Sequence, residues 1–190
     1  MTPYYQEDGI TIYNCDCREI LPSLGRFDLL LTDPPYGIGA DDRRRIMSRS
    51  NLSRDVRLTD YGDSDWDFEP ASPELIKLIW ESSKTQIIFG GNYFSLPPSQ
   101  CWLVWDKDRS GDFADCELAW TNMDKAVRKF KWRWNGMLQE NMDEKEKRVH
   151  PTQKPVALML WCLSHVPQAK TVLDPFMGSG TTLVAAKQRG

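Results

Sequence analysis

No stretch of this 190-residue sequence has an unbroken apolar run of membrane-spanning length, and the N-terminus lacks the basic-then-apolar pattern of a signal peptide. Those absences predict a soluble, cytoplasmic protein with no membrane partner. The five cysteines are odd in number and scattered, which fits free thiols in a reducing compartment rather than a disulfide framework. Histidine is nearly missing: His150 and His165 sit in unrelated contexts, and Cys15-x-Cys17 lacks metal-ligand spacing, so no metal site is predicted. There is no excess of positive charge either, and a net charge of -3 argues against a blanket nucleic-acid binder. What cations there are come in clusters. Arg43, Arg44 and Arg45, followed by Arg49 and Arg54, fall in one stretch free of acids, and Lys129, Lys131 and Arg133, with Lys125 and Arg128, in another. Phosphate contacts need local rather than global charge, so both clusters are candidates for them, beside the plainer reading of solvated, charged loops. At 41% hydrophobic, the chain is large enough for one domain with a real core.

Two segments carry the chemistry. The apolar run Phe27-Asp28-Leu29-Leu30-Leu31-Thr32 reads as a buried strand of an α/β sheet, and Asp33-Pro34-Pro35-Tyr36 closes it, because two successive prolines cannot continue a ladder. Asp33 and Tyr36 are therefore expected at the C-terminal edge of the sheet, where ligands bind in open α/β folds. A carboxylate, rigid carbonyls and an aromatic ring together suit the gripping of a flat heterocycle by its exocyclic amine. If Asp33 and the Pro34 carbonyl accept the two amine hydrogens, the nitrogen can pyramidalise towards an electrophile, with acceptors already fixed where positive charge develops. Tyr36 would stack on a base swung out of its helix. The plainer alternative is a proline-rich turn and nothing more.

Near the other end, Thr171-Val172-Leu173-Asp174 reads as a second buried strand, followed by Pro175-Phe176-Met177-Gly178-Ser179-Gly180-Thr181-Thr182 and an apolar helix. The glycines allow close backbone approach to a ligand, and the helix N-terminus favours an anionic group. No Gly-Lys-Ser/Thr ending is present, which disfavours a triphosphate-binding loop. An ordinary strand-to-helix turn is the alternative.

In this order the two segments resemble the amino-methylating DNA methyltransferases that use S-adenosylmethionine, and more closely the permuted beta group in which the Asp-Pro-Pro-Tyr strand precedes the cofactor loop. Tyr13-Asn14-Cys15-Asp16-Cys17-Arg18-Glu19-Ile20-Leu21 and His150-Pro151-Thr152-Gln153-Lys154-Pro155 extend the match, although Cys15 stands where the family usually has glycine. Trp134-Asn135-Gly136-Met137 also looks like phage and prophage enzymes of this kind. The resemblance implies a Rossmann-like α/β fold, circularly permuted, and catalysis by Asp33, Pro34, Pro35 and Tyr36. It also implies S-adenosylmethionine contacts at Asp16, Cys17, Asp33, Thr152, Lys154, Asp174, Pro175, Phe176, Gly178, Ser179, Gly180 and Thr181. Lys154 would add its charge near the cofactor carboxylate. Double-stranded DNA is the implied partner, contacted by Arg43, Arg44, Arg45, Lys129, Lys131 and Arg133; a homodimer and a cognate restriction endonuclease are further partner readings. Adenine N6 is the preferred target because Asp opens the tetrapeptide. Cytosine N4 is the close rival, RNA or protein glutamine a more distant one, and a catalytically silent DNA-binding or assembly fragment an alternative of another class.

The rest of the chain is read in order. A short strand is expected over 10–13, with Asp16 as the cap of a helical turn ended by Pro22. Residues 36–71 form a long loop, basic first and then rich in Asp60, Asp63, Asp65, Asp67 and Glu69. Its acidic half is assigned to solvent or to pairing with the basic half. Ser72-Pro73-Glu74 starts a helix to about Lys84 whose Leu75, Ile76, Leu78, Ile79 and Trp80 pack inward. Strands are expected over 86–89, ending in Gly90-Gly91-Asn92-Tyr93, whose Asn92 and Tyr93 face the same cleft, and over 101–105 and 116–121. Residues 127–134 alternate basic and aromatic in a ribbon that either lies along a duplex or forms a half-buried edge strand; recognition is expected within about 106–149. Glu140 to Arg148 is a solvated loop, and Thr152 caps a helix over 153–166. After the cofactor loop a helix runs to Gln188, with Gly190 as its cap. The chain then stops before the strand whose acid would hold the cofactor ribose, so the sequence reads as C-terminally truncated, or as a copy that binds cofactor poorly.

Overall fold

A computed structural model describes residues 1–39, 67–108, 114–135, 138–150 and 152–190. Arg43, Arg44 and Arg45, most of the 36–71 loop, and Gly136 and Met137 lie outside the described residues. Along the chain come β1 (Tyr5–Glu7), β2 (Ile10–Ile12), α1 (Cys17–Ile20), a 3-10 turn, β3 (Phe27–Thr32), α2 (Pro73–Glu81), β4 (Ser83–Phe89) and a second 3-10 turn. There follow β5 (Trp102–Asp106), β6 (Cys116–Thr121), β7 (Arg128–Lys131), β8 (Trp134–Asn135), β9 (Leu138–Gln139), α3 (Val156–Ser164), β10 (Val172–Leu173) and α4 (Thr181–Arg189).

The main sheet has the order β10-β3-β4-β6-β5-β7. β10, β3 and β4 run parallel, β6 is antiparallel to both β4 and β5, and β7 is parallel to β5. Leu29, Leu30 and Leu31 of β3 have no exposed surface, as a strand covered on both faces requires. Strand alternation divides them. Leu29 and Leu31 join Ile87, Phe89, Leu158, Leu163 and Ala185 under α3 and α4, whereas Leu30 joins Ile88, Ile76 and Ile79 under α2. Helices thus cover both faces of a largely parallel sheet, the α/β class expected of a Rossmann-like methyltransferase.

Each strand stops for a legible reason. β3 ends at Pro34-Pro35, and β4 ends at Gly90, whose φ of +66° is readily adopted only by glycine. α2 begins as expected, with the Ser72 hydroxyl accepting from the Leu75 amide at 3.3 Å and Pro73 in the first turn. It ends at Glu81 rather than Lys84, and β4 starts at Ser83 rather than Gln86, since the register Phe27↔Ser83 carries the ladder three residues further back. An unexpected strand, β1, pairs with β2 across Asp8-Gly9, both at positive φ, in the manner of a tight hairpin turn.

Two further expectations are corrected. α3 begins at Val156, capped by Pro155, and the Thr152 side chain is not its cap. Lys154 precedes a proline, which bars it from helical backbone. The 127–134 ribbon divides into β7, which pairs with β5, and β8, which turns away to pair with β9. Its aromatics do pack inward: Phe130 stacks on Trp132 at 5.7 Å and on Trp161 of α3 at 5.1 Å. No helix among the described residues is long and apolar enough to cross a membrane.

Candidate active site

Because β10 and β3 are parallel neighbours, the residues that follow them, Asp174 and Asp33, emerge at the same edge of the sheet. The Thr32 hydroxyl, the last side chain of β3, donates to Asp174 Oδ1 at 2.7 Å and ties the two strand ends together. A cavity of about 380 Å³ opens there, lined by Asp33 and Pro35, by His150, Thr152, Gln153 and Lys154, and by Asp174, Phe176, Gly178, Ser179 and Thr181. Distant segments of the chain meet at this one cleft. Asp16, Cys17, Pro34, Tyr36, Pro175 and Gly180 do not line it; Cys17 packs instead against the apolar cluster under α2, and Asp16 caps α1 through the Arg18 amide at 2.9 Å.

The loop after β10 is shaped for close approach. Gly178 and Gly180 take φ of +52° and +76°, and α4 starts at Thr181, which with Thr182 lines the cavity. The Asp174 carboxylate accepts from the Phe176 amide at 3.2 Å as well as from Thr32. Burial raises its pKa to about 6, only partly offset by the Thr32 and Thr182 hydroxyls. A buried acid without a cationic partner favours an arriving cation.

Asp33 is held quite differently. Its Oδ1 accepts from the Tyr36 hydroxyl and its Oδ2 from the Lys154 ammonium. Lys154 is only 5% exposed; it lies over the Phe89 ring at 4.8 Å and 3.2 Å from Glu117 Oε2 on β6, while Lys107 at the end of β5 pairs with the other Glu117 oxygen. Burial pushes the Asp33 carboxyl up, against the pull of Lys154. Burial works against the Lys154 ammonium, but Asp33 and Glu117 outweigh it and hold the ammonium above the ordinary lysine range. For Glu117, burial is overcome by the two lysines, which draw it down to about 2. Lys154 was expected beside a ligand carboxylate; here its partners are two acids of the chain itself. Neither Glu117 nor Lys107 was singled out in the sequence.

The Tyr36 ring stacks on Tyr93 at 5.0 Å, nearly parallel, and meets Phe94 edge-on at 6.3 Å. Its packing depends on Gly90, since a Cβ there would lie 2.0 Å from a ring carbon. From sequence, Asp67 is expected, with the other acids of the loop, in solvent or in pairing with the basic half. It is instead buried, and its Oδ1 accepts from the amides of Tyr36 and Gly37 at 2.8 and 2.9 Å, which fixes the turn after the prolines.

Lys129, Lys131 and Arg133 lie at the same edge of the sheet, because β7 runs parallel to β5 towards Asp106. All three are ion-paired: Lys129 to Asp106 at 3.1 Å, and Lys131 and Arg133 to Asp108 at 2.9 and 2.6 Å. Three cations against two acids leave a small positive excess on an exposed rim.

The donor set suits S-adenosylmethionine. The Asp174 carboxylate, with no ion pair among the described residues, favours a sulfonium, the helix N-terminus favours a carboxylate, and Phe176 and Met159 supply apolar surface. The chain resembles known proteins along most of its length. Residues 102–190 match the family described as DNA methylase. The chain is 31% identical to the type II methyltransferase M2.MboI of Moraxella bovis, over 96% of this chain and 81% of that protein. It is 25% identical to the type II methyltransferase M.ScaI of Streptomyces caespitosus, over 99% of this chain and 77% of that one. To M2.DpnII of Streptococcus pneumoniae it is 26% identical, over 99% and 84%. Among solved structures, the crystal structure of the M1.HpyAVI–SAM complex overlaps 93% of this chain and 87% of that one, with 23% identity and a TM-score of 0.49.

Proposed function

The chain belongs to the DNA methylase family, and from that premise we propose that it methylates the N6 amine of adenine in double-stranded DNA, using S-adenosylmethionine. The observation that carries this reading is the shared cavity of the Asp33 turn and the Gly178–Gly180 loop, which brings an amine acceptor and a cofactor cradle to one sheet edge. S-Adenosylmethionine supplies an electrophilic methyl group on a cationic sulfur. Asp174 would hold the cofactor's positive charge, and the Thr181 end of α4 its carboxylate. Asp33 would accept an N–H of the target amine and favour the positive charge that develops on nitrogen, while Tyr36, braced by Tyr93, offers a ring edge to the flipped base. Adenine is preferred over cytosine because an aspartate opens the Asp-Pro-Pro-Tyr tetrapeptide. The family likeness to type II methyltransferases supports a restriction-modification setting, with a cognate endonuclease as functional partner.

The test is direct. The protein is incubated with duplex DNA and methyl-labelled cofactor, and the DNA is digested to nucleosides. Label in N6-methyl-2′-deoxyadenosine is expected; label in N4-methyl-2′-deoxycytidine would overturn the choice of base. No label, together with no cofactor binding by a folded sample, would overturn the activity.

A further inference from the structure

Resting on that reading, the geometry points to a residue outside the recognised segments: we propose that Glu117 is a positioning residue that takes Lys154 from Asp33 when the target amine docks. As it stands, the acceptor meant for the amine is engaged on both oxygens, by the Tyr36 hydroxyl and by the Lys154 ammonium. An ammonium against Oδ2 opposes the transfer twice. It draws electron density from the oxygen that must accept the amine hydrogen, and it places a positive charge beside a nitrogen that becomes positive as the methyl arrives.

Glu117 supplies the alternative berth. Its Oε2 is buried and lies 3.2 Å from Lys154 Nζ, an ion pair already in place but off the line of a well-directed hydrogen bond. A short shift of the ammonium from Asp33 would complete that bond. The other oxygen is anchored by Lys107, which itself lies over the Trp105 ring at 4.9 Å, so the carboxylate cannot follow Lys154 towards Asp33. The strand register fixes the arrangement: Glu117 stands opposite Trp105 in the antiparallel β5–β6 pair, one residue before the end of β5. Lys154 therefore has a partner in both positions, and its ammonium, over the Phe89 ring at 4.8 Å and already 3.2 Å from Glu117, need move little. The titratable groups facing Asp33 are Lys154, Glu117 behind it, and the neutral phenol of Tyr36; Asp174 and His150 also line the cavity.

The experiment compares wild type with Glu117→Gln and Glu117→Asp in steady-state transfer to duplex DNA, over a pH range, with the nucleoside product identified. For Glu117→Gln, kcat is expected to fall about ten- to a hundredfold while KM for cofactor and DNA stays within about threefold, since the lost charge acts only on the reacting carboxylate. The acid limb of the kcat profile should move to lower pH, because Glu117 makes Asp33 harder to ionise and its removal relieves that. Glu117→Asp, which keeps the charge on a shorter arm, should recover part of kcat. Wild-type kcat in Glu117→Gln, or a lowered kcat with an unmoved acid limb and no recovery by aspartate, overturns the proposal. If Glu117→Gln does not fold, Glu117→Asp decides alone, with kcat reduced at least about threefold at constant KM in support and wild-type kcat against. Wild-type protein that transfers no methyl group would instead overturn the function on which the proposal rests, and the parallel control separates the two failures.

Discussion

Asp33 and Asp174 follow neighbouring parallel strands and line the same cavity, yet they are held in opposite ways. Asp33 is clasped by an ammonium and a phenol, within a balanced set of two acids and two lysines. Among the described residues Asp174 has hydroxyl and amide donors and no ion pair, and burial lifts its pKa to about 6. Burial raises the pKa of both, but a carboxylate with an internal cation is fixed in place before any ligand arrives, whereas one without waits for a cation from outside. On this account the first is the acceptor for the target amine and the second the seat for the cofactor's positive charge.

The largest effect expected from breaking this pair falls on chemistry alone. Asp33→Ala should lower transfer by roughly a thousandfold, the scale of losing a preorganised group at the reacting atom, measured by label incorporation into DNA at saturating cofactor. Next comes the brace behind Asp33. Gly90→Ala would drive a methyl group into a Tyr36 ring pinned by Tyr93 and Asp33, at a left-handed φ, and should destabilise the fold by about 1–3 kcal/mol in chemical denaturation.

Asp174→Asn should do the reverse in the ligand-free protein. The native Asp174 pKa is raised to about 6, so between about pH 4 and pH 6 the folded state keeps a proton that the unfolded chain releases, and stability falls as pH rises through that window. Asparagine removes this penalty, and at pH 8 the variant should be more stable by about 1–2 kcal/mol, with no gain at pH 4, as read from denaturation midpoints at the two pH values.

The smallest effect belongs to the rim. Lys129, Lys131 and Arg133 are already paired with Asp106 and Asp108, so changing all three to glutamine should weaken DNA binding only about three- to tenfold. The slope of log affinity against log salt should drop by about 1, rather than the roughly 3 expected for three free cations.

What the sequence made legible was local. Apolar runs stopped by proline or glycine marked β3 and β10, and Ser72-Pro73-Glu74 marked the start of α2. The meeting of the Asp33 and Gly178 segments followed from the parallel-sheet rule. What stayed hidden was set by pairings across the sheet. Glu117 and Lys107 looked like ordinary polar residues at strand ends until the β5–β6 register brought them to Lys154. Asp67 looked like one more acid in a charged loop because nothing nearby in the chain tells that its carboxylate folds back onto two amides 30 and 31 residues away. The start of α3 was misread because Thr152 has the composition of a cap, while the proline two residues after Gln153 decides the backbone.

The division of labour between the two aspartates is tested most directly by calorimetric titration of S-adenosylmethionine into folded Asp33→Ala and Asp174→Asn side by side. Affinity within about threefold of wild type is predicted for Asp33→Ala, and a loss of at least about tenfold for Asp174→Asn, the scale of one charge contact in a buried site. Equal losses in the two variants, or a loss confined to Asp33→Ala, would contradict it.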